Sequence, residues 1–175
     1  FGRPPLTLTI AYQDDEGEFP TLWERTVEHN AAAADPLAAA DLDGDGRADL
    51  ALLTEKEILV YRQQADGEMG PPDRYPVDAG AASLQVLDLD GDGGRDLVLL
   101  LPSASHPVRY RPSAGDGTFG PERGLPLPSL RAAAFREASG EDAPAEILLL
   151  ESQTGRLKRV VPFDPASAPV DPPPL

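Results

Sequence analysis

Two stretches of the sequence concentrate oxygen ligands. Asp41, Asp43, Asp45 and Asp49 stand at positions 1, 3, 5 and 9 of one loop, and Asp88, Asp90, Asp92 and Asp96 repeat that spacing in another. Alternate carboxylates in a tight turn point inward, where a hard cation can collect them, and a glycine at position 6 (Gly46, Gly93) permits the sharp reversal. The carbonyls of Arg47 and Gly94 at position 7 complete each candidate set. Position 12, where an EF-hand places a bidentate glutamate, is Leu52 in one loop and Leu99 in the other. The ligand logic is therefore that of an EF-hand without its terminal Glu. Many oxygens on a flexible loop suit Ca²⁺ better than Mg²⁺, which demands a strict octahedron. Two Ca²⁺ ions are expected. The competing reading is that Asp-Gly pairs are simply good turn formers on the solvent side of a hairpin. Two copies, each with four carboxylates that repel one another within nine residues, favour the cation.

The elements holding these loops repeat. The two aspartate loops lie 47 residues apart; the turns ending in Phe19, Met69 and Phe119 recur at 50, and Tyr12, Tyr61 and Tyr110 at 49. Short Leu- and Val-rich segments flank each loop, no apolar pattern of period 3.6 is sustained, and prolines punctuate the gaps. Ala31 to Ala34 and Ala38 to Ala40 favour helix, but Asp35-Pro36 interrupts them, so a loop feeding a strand is expected there. An all-β repeat fold is predicted, with four short antiparallel strands per unit of about 48 residues, the size of a propeller blade. The repeat region covers 1–163, with units near 14–63, 64–113 and 114–163, and a proline-rich tail or linker occupies 164–175. The third unit keeps its strands at Leu130 to Phe135 and Ala145 to Leu150. Its turn, however, lacks Asp at positions 1, 3 and 5, so no metal is expected near Glu137, Glu141 and Asp142.

At Asp41–Leu50 and Asp88–Leu97, and at the turns Ala65–Pro71 and Ala114–Pro121, the chain resembles the FG-GAP/VCBS-type β-propeller repeats also seen in integrin α-subunit heads. The resemblance spans about residues 14 to 162. It implies a calcium loop joining the innermost two strands of each blade, an extracellular or surface setting, and a role in adhesion, assembly or ligand binding. Such repeats sometimes accompany an enzyme domain. The third loop, Met69 in place of an aromatic residue, and the short units depart from the family pattern. With that strand order the chain divides into sheets of two, four, four and three strands. Leu6–Gln13 and Leu22–Glu28 are then the outer half of a blade. Just over three blades is too few to close a ring, and a protein partner or other regions of the polypeptide are expected to complete it.

Composition narrows the function. Of 175 residues, 30 are acidic and 15 basic, a net charge of −15, which disfavours nucleic acid and anionic membranes. No apolar run reaches membrane-spanning length, and the absence of cysteine excludes zinc ribbons and thiol nucleophiles. The chain opens at Phe1, which reads as a processed product or a piece of a longer polypeptide. His29 and His106 are isolated, no Gly-x-Ser-x-Gly elbow exists, and Gly91–Gly94 belongs to an aspartate loop, not a nucleotide-binding turn. Trp23 and Tyr75 suit outer-strand packing better than carbohydrate stacking. A non-catalytic, extracytoplasmic calcium-binding module for protein or surface-ligand binding and assembly is the expected function. An accessory region of a larger secreted enzyme, or a subunit docked on a surface or membrane complex, are the alternatives.

Overall fold

The computed structural model describes residues 6–27, 36–78, 80–137 and 145–163. Thirteen strands, and no helix among the described residues, form four separate antiparallel sheets. The first pairs β1 (Leu6–Tyr12) with β2 (Thr21–Val27). The second runs β3 (Leu37–Ala40), β4 (Asp49–Leu53), β5 (Glu57–Tyr61), β6 (Asp73–Pro76) in sequence order. The third repeats that order with β7 (Ser83–Leu87), β8 (Asp96–Leu100), β9 (Val108–Arg111) and β10 (Arg123–Leu125). The fourth has three strands, β11 (Leu130–Arg136), β12 (Glu146–Glu151) and β13 (Leu157–Val160). These are propeller-type blades in the expected distribution of strands, and no sheet among them closes into a barrel. The expectations for His29, for residues 31–34, for Glu141 and Asp142, and for the tail at 164–175 lie outside the described residues.

Three apolar layers hold the sheets together. Leu8, Trp23 and Val27 meet Leu50, Leu52, Leu59 and Tyr61 between the first and second sheets. Ala51, Leu53, Ile58 and Val60 meet Leu84, Leu97 and Leu99 between the second and third. Val98, Val108 and Tyr110 meet Leu130, Ile147 and Leu149 between the third and fourth. Central strands such as β4 are buried on both faces and read as unbroken apolar runs, because a sheet lies on either side. Each fully buried leucine contributes roughly 1.5 to 3 kcal/mol. Trp23 is one of these core residues, edge-on to Tyr61 at 5.5 Å, and Tyr75 stands edge-on to Phe119 at 5.5 Å; both side chains pack.

Equivalent tyrosines face opposite ways. Tyr61 pairs with Leu50 and points to the first sheet, whereas Tyr110 pairs with Val98 and points to Phe163, 5.6 Å away. The β4–β5 connection occupies 54–56 and the β8–β9 connection 101–107, and the longer loop slips the pairing by one residue. A one-residue slip moves every side chain to the other face.

Glu146 shows how charge is handled at the last sheet. It is nearly buried and accepts hydrogen bonds from Arg159 and Arg136, which push its carboxyl down to about 2. A carboxyl depressed by folding stabilises the native state above its unfolded pKa of about 4.3, and that contribution is lost as pH falls toward the folded value. Thermal unfolding should therefore show wild type losing more stability than Glu146→Gln on acidification through this window. Parallel losses would exclude the contribution.

Candidate metal centres

Each aspartate loop joins the first two strands of its sheet, β3 to β4 and β7 to β8. The first aspartate organises the turn. Asp41 accepts hydrogen bonds from the N–H groups of Gly44 (2.7 Å) and Asp45 (3.2 Å) on Oδ1, and from Gly46 (2.8 Å) on Oδ2. Asp88 accepts from Gly91 (2.7 Å) and Gly93 (3.0 Å). Gly44 and Gly46, at φ of 81° and 84°, take the left-handed backbone that this wrapping requires. Ligand spacing alone requires the glycine at position 6; the Asp-Gly doublet at positions 3 and 4 is the sequence signal for the second.

Position 9 is a clamp. Asp49 is fully buried, its Oδ2 accepting from the N–H of Leu42 (3.0 Å) and its Oδ1 from that of Gln63 (2.9 Å). Asp96, also fully buried, does the same with Leu89 (3.0 Å) and Ser113 (2.8 Å). Each carboxylate ties the loop to the hairpin that follows the third strand of its sheet. Gln63 and Ser113 carry no sequence signal for this role, since a backbone N–H is common to nearly every residue type.

The carboxylates converge. Asp41, Asp43 and Asp49 each bring one oxygen within 4.8 Å of the others, and Asp88, Asp90 and Asp96 do likewise. Asp45 and Asp92 stand outside these triplets. Their Oδ1 atoms accept from the N–H groups of Arg47 (2.8 Å) and Gly94 (2.7 Å), and Asp45 also pairs with the Arg47 guanidinium. The Arg47 side chain donates through Nε to the Gln63 carbonyl (2.9 Å). At Gly94 there is no room for such a chain: an added Cβ would lie 2.9 Å from Asp92 Oδ1 and 2.9 Å from Ser113 Cβ.

The electrostatics differ within each triplet. Hydrogen bonds from Gly46 and its neighbours hold the Asp41 carboxyl below the usual range. Burial pushes Asp49 up, against the hydrogen bonds from Gln63 and Leu42. Burial raises Asp90, with Asp92 adding repulsion, and carries Asp96 up to about 7, with Asp90 and Asp92 contributing. These all-oxygen sets, with buried carboxylates facing like charges, fit a hard divalent cation.

A neighbour braces the first loop. Gly117, in the β9–β10 turn of the third sheet, lies so close that an added Cβ would be 2.8 Å from Asp43 Cβ and 2.5 Å from Arg62 Nε. The Gly117 carbonyl accepts from Arg62, which also pairs with Asp73 (2.6 Å).

Among comparisons with known proteins, residues 41–99, which contain both loops and β4 to β7, match the family model described as FG-GAP-like repeat. No curated protein matches the chain significantly. Two aspartate loops of one geometry, set on antiparallel sheets of one order, thus coincide with a family match over the same residues: the chain carries an FG-GAP-like repeat.

Proposed function

We propose that this chain is a non-catalytic, calcium-binding repeat module that works outside the cytoplasm, binding a protein or surface ligand or serving assembly. The observation that carries this reading is the recurrence of one carboxylate triplet in two loops 47 residues apart. Asp41, Asp43 and Asp49 would hold one ion and Asp88, Asp90 and Asp96 the other, with Asp45, Asp92 and the carbonyls of Arg47 and Gly94 as the remaining donors. Calcium, when bound, supplies the positive charge that lets these carboxylates stay ionised together. FG-GAP-like repeats are typically extracellular and generally non-catalytic, which supports both the setting and the absence of chemistry. No described helix is long and apolar enough to cross a membrane. His106 packs beside Gly124, and among the described residues its side chain has a hydrogen-bonding contact with Ser105 Oγ at 3.4 Å, which makes no catalytic constellation. A first sheet of two strands and a last of three leave an open array for a partner or another part of the polypeptide to complete.

Thermal unfolding tests the metal. With dissociation constants on the order of 10⁻⁴ to 10⁻³ M, as in extracellular modules, millimolar calcium adds roughly 0.4 to 1.4 kcal/mol per site. In a chain of this size each kcal/mol is worth about 2 to 4 °C. Asp43→Ala and Asp90→Ala should each remove about half of the response, and melting that a chelator leaves unchanged would refute the reading.

A further inference from the structure

The two aspartate loops differ in where each carries its one arginine. Position 7 is Arg47 in the first loop and Gly94 in the second; position 8 is Ala48 and then Arg95. That single step changes the partner. Arg47 turns back on its own loop, where its guanidinium pairs with Asp45 and its Nε donates to the Gln63 carbonyl (2.9 Å). Arg95 leaves its loop and pairs with Glu137, just past the end of β11 in the next sheet. Gly94 holds position 7 in the second loop because Asp92 and Ser113 fill the space that a side chain there would need.

The loops are otherwise matched. The carboxylates at positions 1, 3 and 9 converge in both, position 9 is clamped by equivalent N–H groups, and position 5 accepts from the N–H of position 7. Each also has one arginine further off, Arg62 paired with Asp73 and Arg123 beside Tyr110, so these do not set the loops apart.

Resting on the reading of both loops as calcium sites, we infer that Arg47 is a built-in counter-ion that makes the first loop the weaker site, so that calcium fills the second loop first. Two effects act in the same direction. Asp45 must give up Arg47 before it can turn to an ion, whereas no cation pairs with Asp92 among the described residues. The displaced guanidinium also leaves a positive charge beside the ion, and ligand charge is one of the quantities by which oxygen-ligand loops tune affinity. A unit charge about 8 Å from a divalent ion in water weakens its binding about fivefold. The Arg47–Asp45 pair is partly exposed, which keeps the factor near that of water and far from that of a dry interior. The response to calcium is therefore stepped. The loop that fills last is the one against which Gly117 of the third sheet packs.

Calorimetric titration of the full chain with calcium chloride tests this, at about pH 8 so that Asp96, raised to about 7, is ionised. Asp90→Ala leaves the first site and Asp43→Ala the second, so each constant is read separately. The first is expected to be about fivefold weaker. The two shares of the melting response then lie on either side of one half, the larger being lost in Asp90→Ala. Arg47→Gln added to Asp90→Ala should tighten the first site about fivefold, whereas Arg47→Lys, which keeps the charge, should leave it weak. Arg95→Gln added to Asp43→Ala should leave the second site unchanged. Equal constants, a tighter first site, or an Arg47→Gln variant no tighter than its parent would overturn the inference and leave both calcium sites standing. An equal gain from Arg95→Gln would overturn it too, by tracing the effect to the charge of the whole chain. Wild type that binds no calcium would instead defeat the reading on which the inference rests.

Discussion

Asp49→Ala is expected to cost about 3 kcal/mol or more in chelator, before any metal is considered. Its carboxylate satisfies the N–H groups of Leu42 and Gln63 from a fully buried position. Hydrogen bonds to a charged group contribute about 1.5 to 3 kcal/mol each, and truncation leaves both donors without their partner. Asp96→Ala removes the equivalent bonds to Leu89 and Ser113, but should cost less. Burial opposes the ionised form of both carboxylates but carries Asp96 further up, to about 7, with Asp90 and Asp92 adding repulsion, so deletion there relieves the larger penalty. Asp43→Ala is the control, because among the described residues that carboxylate accepts one long hydrogen bond, from Asp45 N–H at 3.2 Å, and its loss should be felt chiefly when calcium is present. Urea unfolding of the three variants in chelator ranks them. Equal costs for Asp49→Ala and Asp43→Ala would show that position 9 is a ligand without being a clamp.

Gly117→Ala is expected to lower stability by about 2 to 4 kcal/mol and to weaken calcium binding at a loop more than 70 residues earlier in the sequence. Two effects combine. A φ of 79° strains any side chain by roughly 1 to 2 kcal/mol, and the new Cβ must displace Asp43 and Arg62. Gly67 isolates the first effect: it occupies the matching turn of the second sheet with φ of 88°, and a Cβ there meets nothing within 4 Å. Gly67→Ala should therefore cost only the backbone strain and leave both calcium responses intact. If the two alanine variants unfold together and bind calcium alike, the third sheet does not brace the first loop.

Much of the architecture was legible because ligand chemistry and turn chemistry both need particular residues at fixed spacing. The aspartate loops, the Asp-Gly turns and the closing tyrosines locate the repeat, and the family strand order that the resemblance implies divides it into thirteen strands among four sheets. Pairing register was not legible. The tyrosine spacing alone makes Tyr61 and Tyr110 equivalent, yet the longer β8–β9 connection turns Tyr110 to the opposite face. The turn markers also diverge in burial for a spatial reason. Met69 packs into the layer against the first sheet and Phe119 against Tyr75 of the second, whereas Phe19 has no preceding sheet among the described residues and is exposed. At the candidate sites, residue types pointed to the carboxylates, and the structure sorts them. Three per loop converge, while Asp45 and Asp92 turn back onto their own backbone. The clamp partners act through main-chain N–H groups, which leave no trace in residue identity.

Calorimetric titration of the metal-free protein with calcium bears most directly on the two loops. Two ions per chain are expected, falling to one in Asp90→Ala, with the remaining site lost in Asp43→Ala/Asp90→Ala. No bound calcium at millimolar concentration, or a stoichiometry unmoved by these substitutions, would contradict the assignment of both loops as calcium sites.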